Sequence, residues 1–501
     1  MSSRDLNWGS KSYPTFVVAA AVAGLLGLCQ CGGGGDGRIP ISTSSSAARE
    51  AFLAGAELCD NLRFHEAQQY FDKAIDADPQ FALAYLYSAI SEQSAKGYFE
   101  HIQLAGKYAA RASEGEQLLI EAMLAGANGD PATQIELLRE LARQYPRDPR
   151  ALMFLAAEYF GQREYDSAVS VCEDIVRIAP GYAPPYNVLG YSYNFLEDYE
   201  AAGRAFQEYI RLIPDDPKPY DSYAELLTRQ GQFEAAIEQY RKSLAHDPSF
   251  GASRIGISAN LVFMGRHDEA RMELEKLFES GAGIGHRRAA IVGFAVTYVD
   301  QGDLETGLAR LEELYRLDST MSDPAAMSDD LNTMIFLLAR LGRFDEAQQR
   351  LAQSVEIIDK SELFPRIKRN ARQNAYLYQS LIYRERGRLS EARQQTEAYL
   401  TEVEPLVNPA RTRSAYLSLG LVSLAEGDYA QAISHLEQSD LLQAWTLYHL
   451  AKAYEGLGDI TRAAELFDRA ARTYQLNSIT YALIRQDAGR RADELRAKMV
   501  P

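Results

Sequence analysis

Four prolines, Pro146, Pro180, Pro214 and Pro248, each follow the last by 34 residues, and Ala168, Ala202, Ala236 and Ala270 keep the same interval. Tyr186 and Tyr220 repeat it once more. A fixed period of this length means one supersecondary unit copied in tandem. Within each unit apolar residues recur every three or four positions, which lays one apolar stripe on each of two short helices. Neither helix can hide its stripe alone, so the pair folds antiparallel and stacks on its copies. A single compact core stops growing near about 250 to 300 residues. A 501-residue tandem array is under no such limit.

The clearest unit runs over residues 183–216. Tyr186, Leu189, Gly190, Tyr193, Ala202, Phe206, Tyr209 and Pro214 stand at its places 4, 7, 8, 11, 20, 24, 27 and 32. The next, 217–250, repeats the pattern with Tyr220, Tyr223, Ala224, Leu227, Ala236, Tyr240 and Pro248. An earlier one, 48–81, has Gly55, Ala67, Phe71, Ala74 and Pro79. This pattern resembles the tetratricopeptide repeat, with Tyr209 departing from the alanine usual at place 27. The resemblance implies an all-α, right-handed superhelical solenoid of antiparallel helix pairs. The small residues Gly190, Ala202, Ala224 and Ala236 let helices approach, and Pro214 and Pro248 stop the second helix of their units.

Beyond residue 278 the beat loosens. Gly302, Gly342, Gly387, Gly427 and Gly458 mark turns, each followed five residues later by Gly307, Ala347, Ala392, Ala432 and Ala463. Wider gaps between these turns imply longer helices or loops. With degenerate units over 82–114 and 115–148, the count comes to about twelve pairs. The expected organisation is an N-terminal array over 48–280, a wider C-terminal array over 281–478 and a polar capping helix over 479–501. Gly281, Gly283 and Gly285 suggest a joint between the arrays, or alternatively a long loop in one continuous superhelix.

At the N-terminus, Arg4 and Lys11 precede an apolar run from Phe16 to Leu28. That run is too short to span about 30 Å of hydrocarbon and fits the core of a signal peptide. It ends in Leu28-Cys29-Gln30-Cys31, which resembles the lipobox of bacterial lipoproteins, with Leu28 three residues before Cys31. Gln30 and Cys29 depart from that pattern. Residues 1–31 are therefore read as a signal peptide with Cys31 as the lipid-attachment site, ordinary cleavage or an uncleaved anchor being the alternatives. The Gly- and Ser-rich stretch 32–47 reads as a flexible tether. The resulting expectation is a protein of the bacterial cell envelope, lipid-anchored and facing the periplasm, or else secreted or periplasmic and soluble.

Charge and motif content exclude most chemistry. A composition of 47% hydrophobic and 24% charged residues is that of a folded chain. The net charge of −17 opposes binding to phosphate backbones, and the basic run Arg366, Lys368, Arg369 and Arg372 reads as a solvated helix face. Cys59 and Cys172 fall on helices of distant repeats, where packing is their expected role. His65-Glu66 fails as a zinc motif because Gln69 stands where the second histidine is required. No nucleophile elbow or phosphate-binding glycine loop occurs. No catalytic residue, metal or cofactor is assigned, although a carboxylate pair assembled by the fold would leave no sequence trace.

In the tetratricopeptide family, places 2, 5, 9, 12 and 13 of the first helix face the ligand in a concave groove. Carried onto this chain they give Met153 and Phe160, then Asn187, Tyr191, Asn194 and Phe195, then Lys218, Asp221, Glu225 and Arg229, and finally Ile255 and Phe263. The resemblance implies protein or peptide partners and a membrane link through the lipid alone. A sensor or assembly factor binding a peptide or glycan is the alternative, with an enzyme hidden in the C-terminal array a remote third.

Overall fold

The computed structural model describes residues 37–60, 63–92, 95–280, 283–404 and 408–499, and those residues contain helices and no strand. Cys31 and the rest of the signal segment lie outside them, as does Gly281. The helices follow one another in twelve pairs, α1/α2 to α23/α24, with a short 3-10 turn at Ala109–Arg111 and two closing helices, α25 (Ile479–Ala482) and α26 (Arg485–Met499). The chain divides into two compact units, the first over 37–226 with 245–247, the second over 227–244 with 248–499.

In the first unit the pairs are α1 (Ser46–Asp60) with α2 (Phe64–Ala77), α3 (Ala82–Ser91) with α4 (Ala95–Tyr108), α5 (Glu114–Asn128) with α6 (Pro131–Gln144), α7 (Pro149–Gly161) with α8 (Tyr165–Ile178), and α9 (Pro184–Phe195) with α10 (Tyr199–Leu212). Aspartates at the helix entrances, among them Asp130, Asp148 and Asp198, accept backbone N–H bonds from the first turn. These bonds satisfy donors that the helix itself leaves orphaned. Gly55 and Gly190 are points of close approach between paired helices. A Cβ on Gly55 would lie 2.7 Å from Phe71, and one on Gly190 would collide with Phe206. Ala202 and Ala224 are fully buried, while Pro214 sits exposed where α10 has ended.

Helix α11 (Pro217–Arg229) carries the chain into the second unit, followed by α12 (Phe233–His246), α13 (Gly251–Phe263), α14 (His267–Glu279) and α15 (Ile284–Asp300). Then come α16 (Leu304–Met321), α17 (Pro324–Arg340), α18 (Phe344–Lys360), α19 (Pro365–Glu385), α20 (Leu389–Val403), α21 (Pro409–Glu426), α22 (Tyr429–Glu437), α23 (Ala444–Leu457) and α24 (Ile460–Ala471). Ala236 is fully buried here and Pro248 exposed. The wide spacing of the later turns goes into helix length: α15 to α19 have 17 to 21 residues. Gly283, just before α15, has φ 105°, and Gly285 lies inside that helix. Ile255, Leu274, Leu277, Ala290 and Phe294 form one core across that turn, so the packing is continuous at the expected joint.

Two terminal segments differ from expectation. The described part of the supposed tether is held in place along the entrances of α5 and α7. Ile39 N–H donates to Asp148 Oδ2 at 2.8 Å, Arg150 Nη2 donates to the Ile39 carbonyl at 2.6 Å, and Ser42 N–H donates to Glu116 Oε1 at 3.0 Å. An extended strip with few apolar groups is fixed because its backbone supplies what buried charged side chains need. At the other end, only α26 has the polar character expected of a cap. The four residues of α25 are buried, and Ile479 and Ala482 share a core with Ile291, Leu331 and Met334.

Candidate binding face of the first helices

Asn187 and Tyr191 lie one turn apart on α9, and Asp221 and Glu225 one turn apart on α11. The two helices meet through these side chains. Ser222 Oγ donates to Asn187 Oδ1 at 3.0 Å, and Tyr191 OH donates to Glu225 Oε2 at 3.0 Å. Lys218 Nζ donates to Asp221 Oδ2 at 2.9 Å from the entrance of α11. Five of the twelve sequence-expected positions thus form one polar network, joined by Ser222. That serine stands at place 6, outside the ligand-facing set, and its place gave no signal of a role.

The network is charged and largely withdrawn from water. Burial pushes the Glu225 carboxyl up to about 7, with Asp221 adding to the effect against the pull of Lys218. Burial also works against the Lys218 charge, but Asp221 and Glu225 outweigh it and hold the ammonium above its ordinary value. Tyr191 is raised by burial and then by Glu225 and Asp221. Two amide atoms on α9 are buried without a hydrogen-bond partner among the described residues, Asn187 Nδ2 and Asn194 Oδ1.

The remaining expected residues have other employment. Met153 is fully buried, and Phe160 packs edge-on to Tyr165 and Phe195, with Phe195 stacked on Tyr165 at 4.8 Å. Ile255 belongs to the core that spans α14 and α15. These apolar positions pack against neighbouring repeats. In the second unit the chain covers its own first-helix face: Arg229 Nη1 donates to the Thr473 carbonyl at 2.9 Å, and Phe263 lies against Tyr474 at 5.4 Å and Tyr481 at 6.0 Å. The apolar run from Ile479 to Ile484, beyond the last repeat, is the sequence trace of this covering segment. Cys59 and Cys172 are buried free thiols, and burial pushes Cys59 up to about 12. No group of three metal-ligating side chains converges among the described residues.

Tandem helix pairs closed by small residues, with polar side chains shared between successive first helices, define a helical-repeat protein. Tetratricopeptide-repeat models match residues 121–183, 183–216, 217–250, 334–353 and 445–475, and the chain is a tetratricopeptide-repeat protein. It is 21% identical over 247 residues to the DnaJ protein P58IPK homolog of Arabidopsis thaliana, covering 44% of this chain and 51% of that one. It is 28% identical over 91 residues to anaphase-promoting complex subunit 6 of Arabidopsis thaliana, covering 18% of this chain and 17% of that one. The chain therefore spans about half or less of the length of these relatives. Among solved structures, the APC/C hetero-tetramer Cut9–Hcn1 aligns over 87% of this chain and 78% of that one at 14% identity, with a TM-score of 0.38.

Proposed function

We propose that this chain is a scaffold that binds an extended peptide segment of a partner protein along α9 and α11. The observation that carries the reading is the pair of orphaned amide atoms on α9, a donor at Asn187 and an acceptor at Asn194. Buried polar atoms are costly when unpaired. An extended backbone offers both complements, and the step of seven residues from Asn187 to Asn194 spans about 10 Å of helix, the length of about three extended residues. Lys218 and Glu225 add charge beside that track. The family relationship agrees with a protein-binding role.

We further propose that the protein is exported and held at a bacterial membrane by lipid on Cys31. The hydrophobic run before Leu28 and the position of Cys31 support this. Among the described residues no helix is long and apolar enough to cross a membrane. Replacing Cys31 with Ser and fractionating cells tests the anchor, and an unchanged membrane distribution would remove it. Affinity capture with the native chain against an Asn187→Ala, Asn194→Ala double variant tests the scaffold. A near-stoichiometric protein lost only from the variant supports the peptide track; the same proteins with both forms would refute it.

A further inference from the structure

The segment that covers the first-helix face of the second unit begins as an irregular loop, 472–478, between α24 and α25. Tyr474 is its plug. The ring lies 4.9 Å from Phe233 and 5.4 Å from Phe263, which are themselves 5.8 Å apart, and a Cβ on Gly231 would meet it at 3.6 Å. Beside the ring, Arg229 Nη1 holds the Thr473 carbonyl at 2.9 Å. On the other side Gln475 Nε2 donates to Gln443 Oε1 at 3.0 Å. The socket is thus made by the end of α11, the turn after it, the start of α12 and the end of α13.

Two features set this loop apart from an ordinary packed connection. Its backbone is strained where the plug sits, with Tyr474 at φ 46° and Asn477 at φ 52°. Asparagine visits that region readily, but a tyrosine there persists only while its surroundings hold it. The base of the loop is closed without help from the socket. Tyr481 OH donates to the Ala471 carbonyl at 2.5 Å and accepts the Tyr474 N–H at 3.1 Å. Beyond it, Ile479 and Ala482 sit in the core, and Arg485 is tied to Asp300. Residues 474–477 are half-buried, whereas Thr473 and Ser478 on either side are buried. Loss of the ring contact and of the bonds to Arg229 and Gln443 therefore frees the plug, relieves the strained φ and leaves α24 and α25 in place.

We propose that this loop is an autoinhibitory lid, in which Tyr474 occupies a socket that an aromatic side chain of another peptide takes when the lid opens. Phe233 and Phe263 receive a ring, and Arg229 receives the backbone carbonyl one position before it. An extended segment carrying tyrosine or phenylalanine offers both groups, so the competing occupant has the chemistry of the lid itself. Being tethered, the lid competes at a high effective concentration, and the socket is available only to the extent that the lid is open. The strain at Tyr474 works the other way and lowers the cost of opening. Lid and socket lie wholly in the second unit, and their ligand is separate from that of the α9 and α11 track, so either reading can fail alone.

Tyr474→Ala removes the plug and keeps every residue of the socket. A fluorescein-labelled peptide copying residues 471–478 should bind the full-length Tyr474→Ala chain about tenfold or more tightly than the native chain, read by fluorescence anisotropy. Tyr474→Phe keeps the ring and should bind the peptide as weakly as the native chain does. The same peptide with its tyrosine changed to alanine should bind neither form, and Phe263→Leu added to the Tyr474→Ala chain should weaken binding again. Gln475→Ala removes one neutral hydrogen bond of the lid, should leave the fold unchanged by circular dichroism, and should tighten peptide binding about fivefold. Equal binding by the native, Tyr474→Ala and Gln475→Ala chains, no binding by any of them, or binding that survives loss of the peptide's tyrosine would each overturn the proposal.

Discussion

Asp300, the last residue of α15, receives both Nε and Nη2 of Arg485, 185 positions later, at 2.8 and 2.6 Å. His267 Nε2 meets the same carboxylate at 2.8 Å, and Gln486 donates to it and to the Asp300 carbonyl. One buried carboxylate therefore fastens the start of α26 to the start of α14 and the end of α15. Breaking a buried pair from one side strands the other charge. Arg485→Met should lower the unfolding free energy by about 3 kcal/mol, measured by denaturant titration. The double variant with Asp300→Asn should cost clearly less than the sum of the two single changes. Additive costs would show that the two residues do not interact.

The contact between Gly190 and Phe206 fixes the separation of α9 and α10, and Ala202 fills the same interface with no exposed surface. There is no room for a larger group, and interiors this dense respond to overpacking with strain. Ala202→Phe should destabilise by about 1 to 3 kcal/mol. Glu200, exposed two residues before Ala202 and paired with Arg204, should change by less than about 0.5 kcal/mol on replacement by Ala. Thermal melts of the two variants check the register, and equal melting temperatures would be incompatible with it.

Much of the architecture was legible because each repeat spells its packing with the same few residues. The turn glycines Gly302, Gly342, Gly387, Gly427 and Gly458 all adopt positive φ, between 73° and 92°. Arg163, Glu197, Gly231 and Gly265 occupy the same turn earlier in the chain, again five residues before the small residues at 168, 202, 236 and 270, and all have positive φ. That equivalence was hidden because two of the four are not glycine. Side-chain partners were less legible, since place numbers say which face a residue occupies but not what reaches it. Asn187 and Glu225 gained polar neighbours, whereas Met153 and Ile255, at the same place as Asn187, belong to the apolar core. Arg229 and Phe263 were met by a segment more than 200 residues away.

Glu197 at φ 62° carries a side chain in a conformation that crowds its Cβ against the backbone. It is exposed, and its backbone N–H closes the turn onto the Asn194 carbonyl. Glu197→Gly should therefore stabilise the chain by roughly 0.5 to 1 kcal/mol, the relief of strain exceeding the entropy glycine regains when unfolded. A rise in melting temperature without a change in denaturant m-value is the expected result. A fall would mean that local contacts of the side chain outweigh the strain.

The raised Glu225 carboxyl makes stability depend on pH in a direction opposite to the usual paired carboxylate. Its ordinary value is 4.5 and burial takes it to about 7 in the folded chain. Between those limits the folded state keeps a proton that the unfolded chain has released, so this residue's contribution to stability declines as pH rises through the window and is lost above it. Glu225→Gln mimics the protonated form. The stability of the variant relative to the parent should be greater at pH 8 than at pH 5, by denaturant titration at both. A difference independent of pH would place the titration elsewhere.

Arg229 and the orphaned amides of α9 offer opposite expectations for partner binding, although all three stand at ligand-facing places. The Arg229 guanidinium is spent on the Thr473 carbonyl, and Tyr474 stacks edge-on to Phe233 at 4.9 Å beside Phe263. Removing Arg229 removes a contact the chain makes to itself. Arg229→Ala should lower stability by about 1 to 2 kcal/mol, as the loss of one charged hydrogen bond requires. It should leave capture of a partner unchanged, whereas the Asn187→Ala, Asn194→Ala pair should abolish capture at a stability cost of about 1 kcal/mol, that of the Ser222–Asn187 hydrogen bond. Capture lost from the Arg229 variant at full folding would mean that the covering segment yields to the ligand.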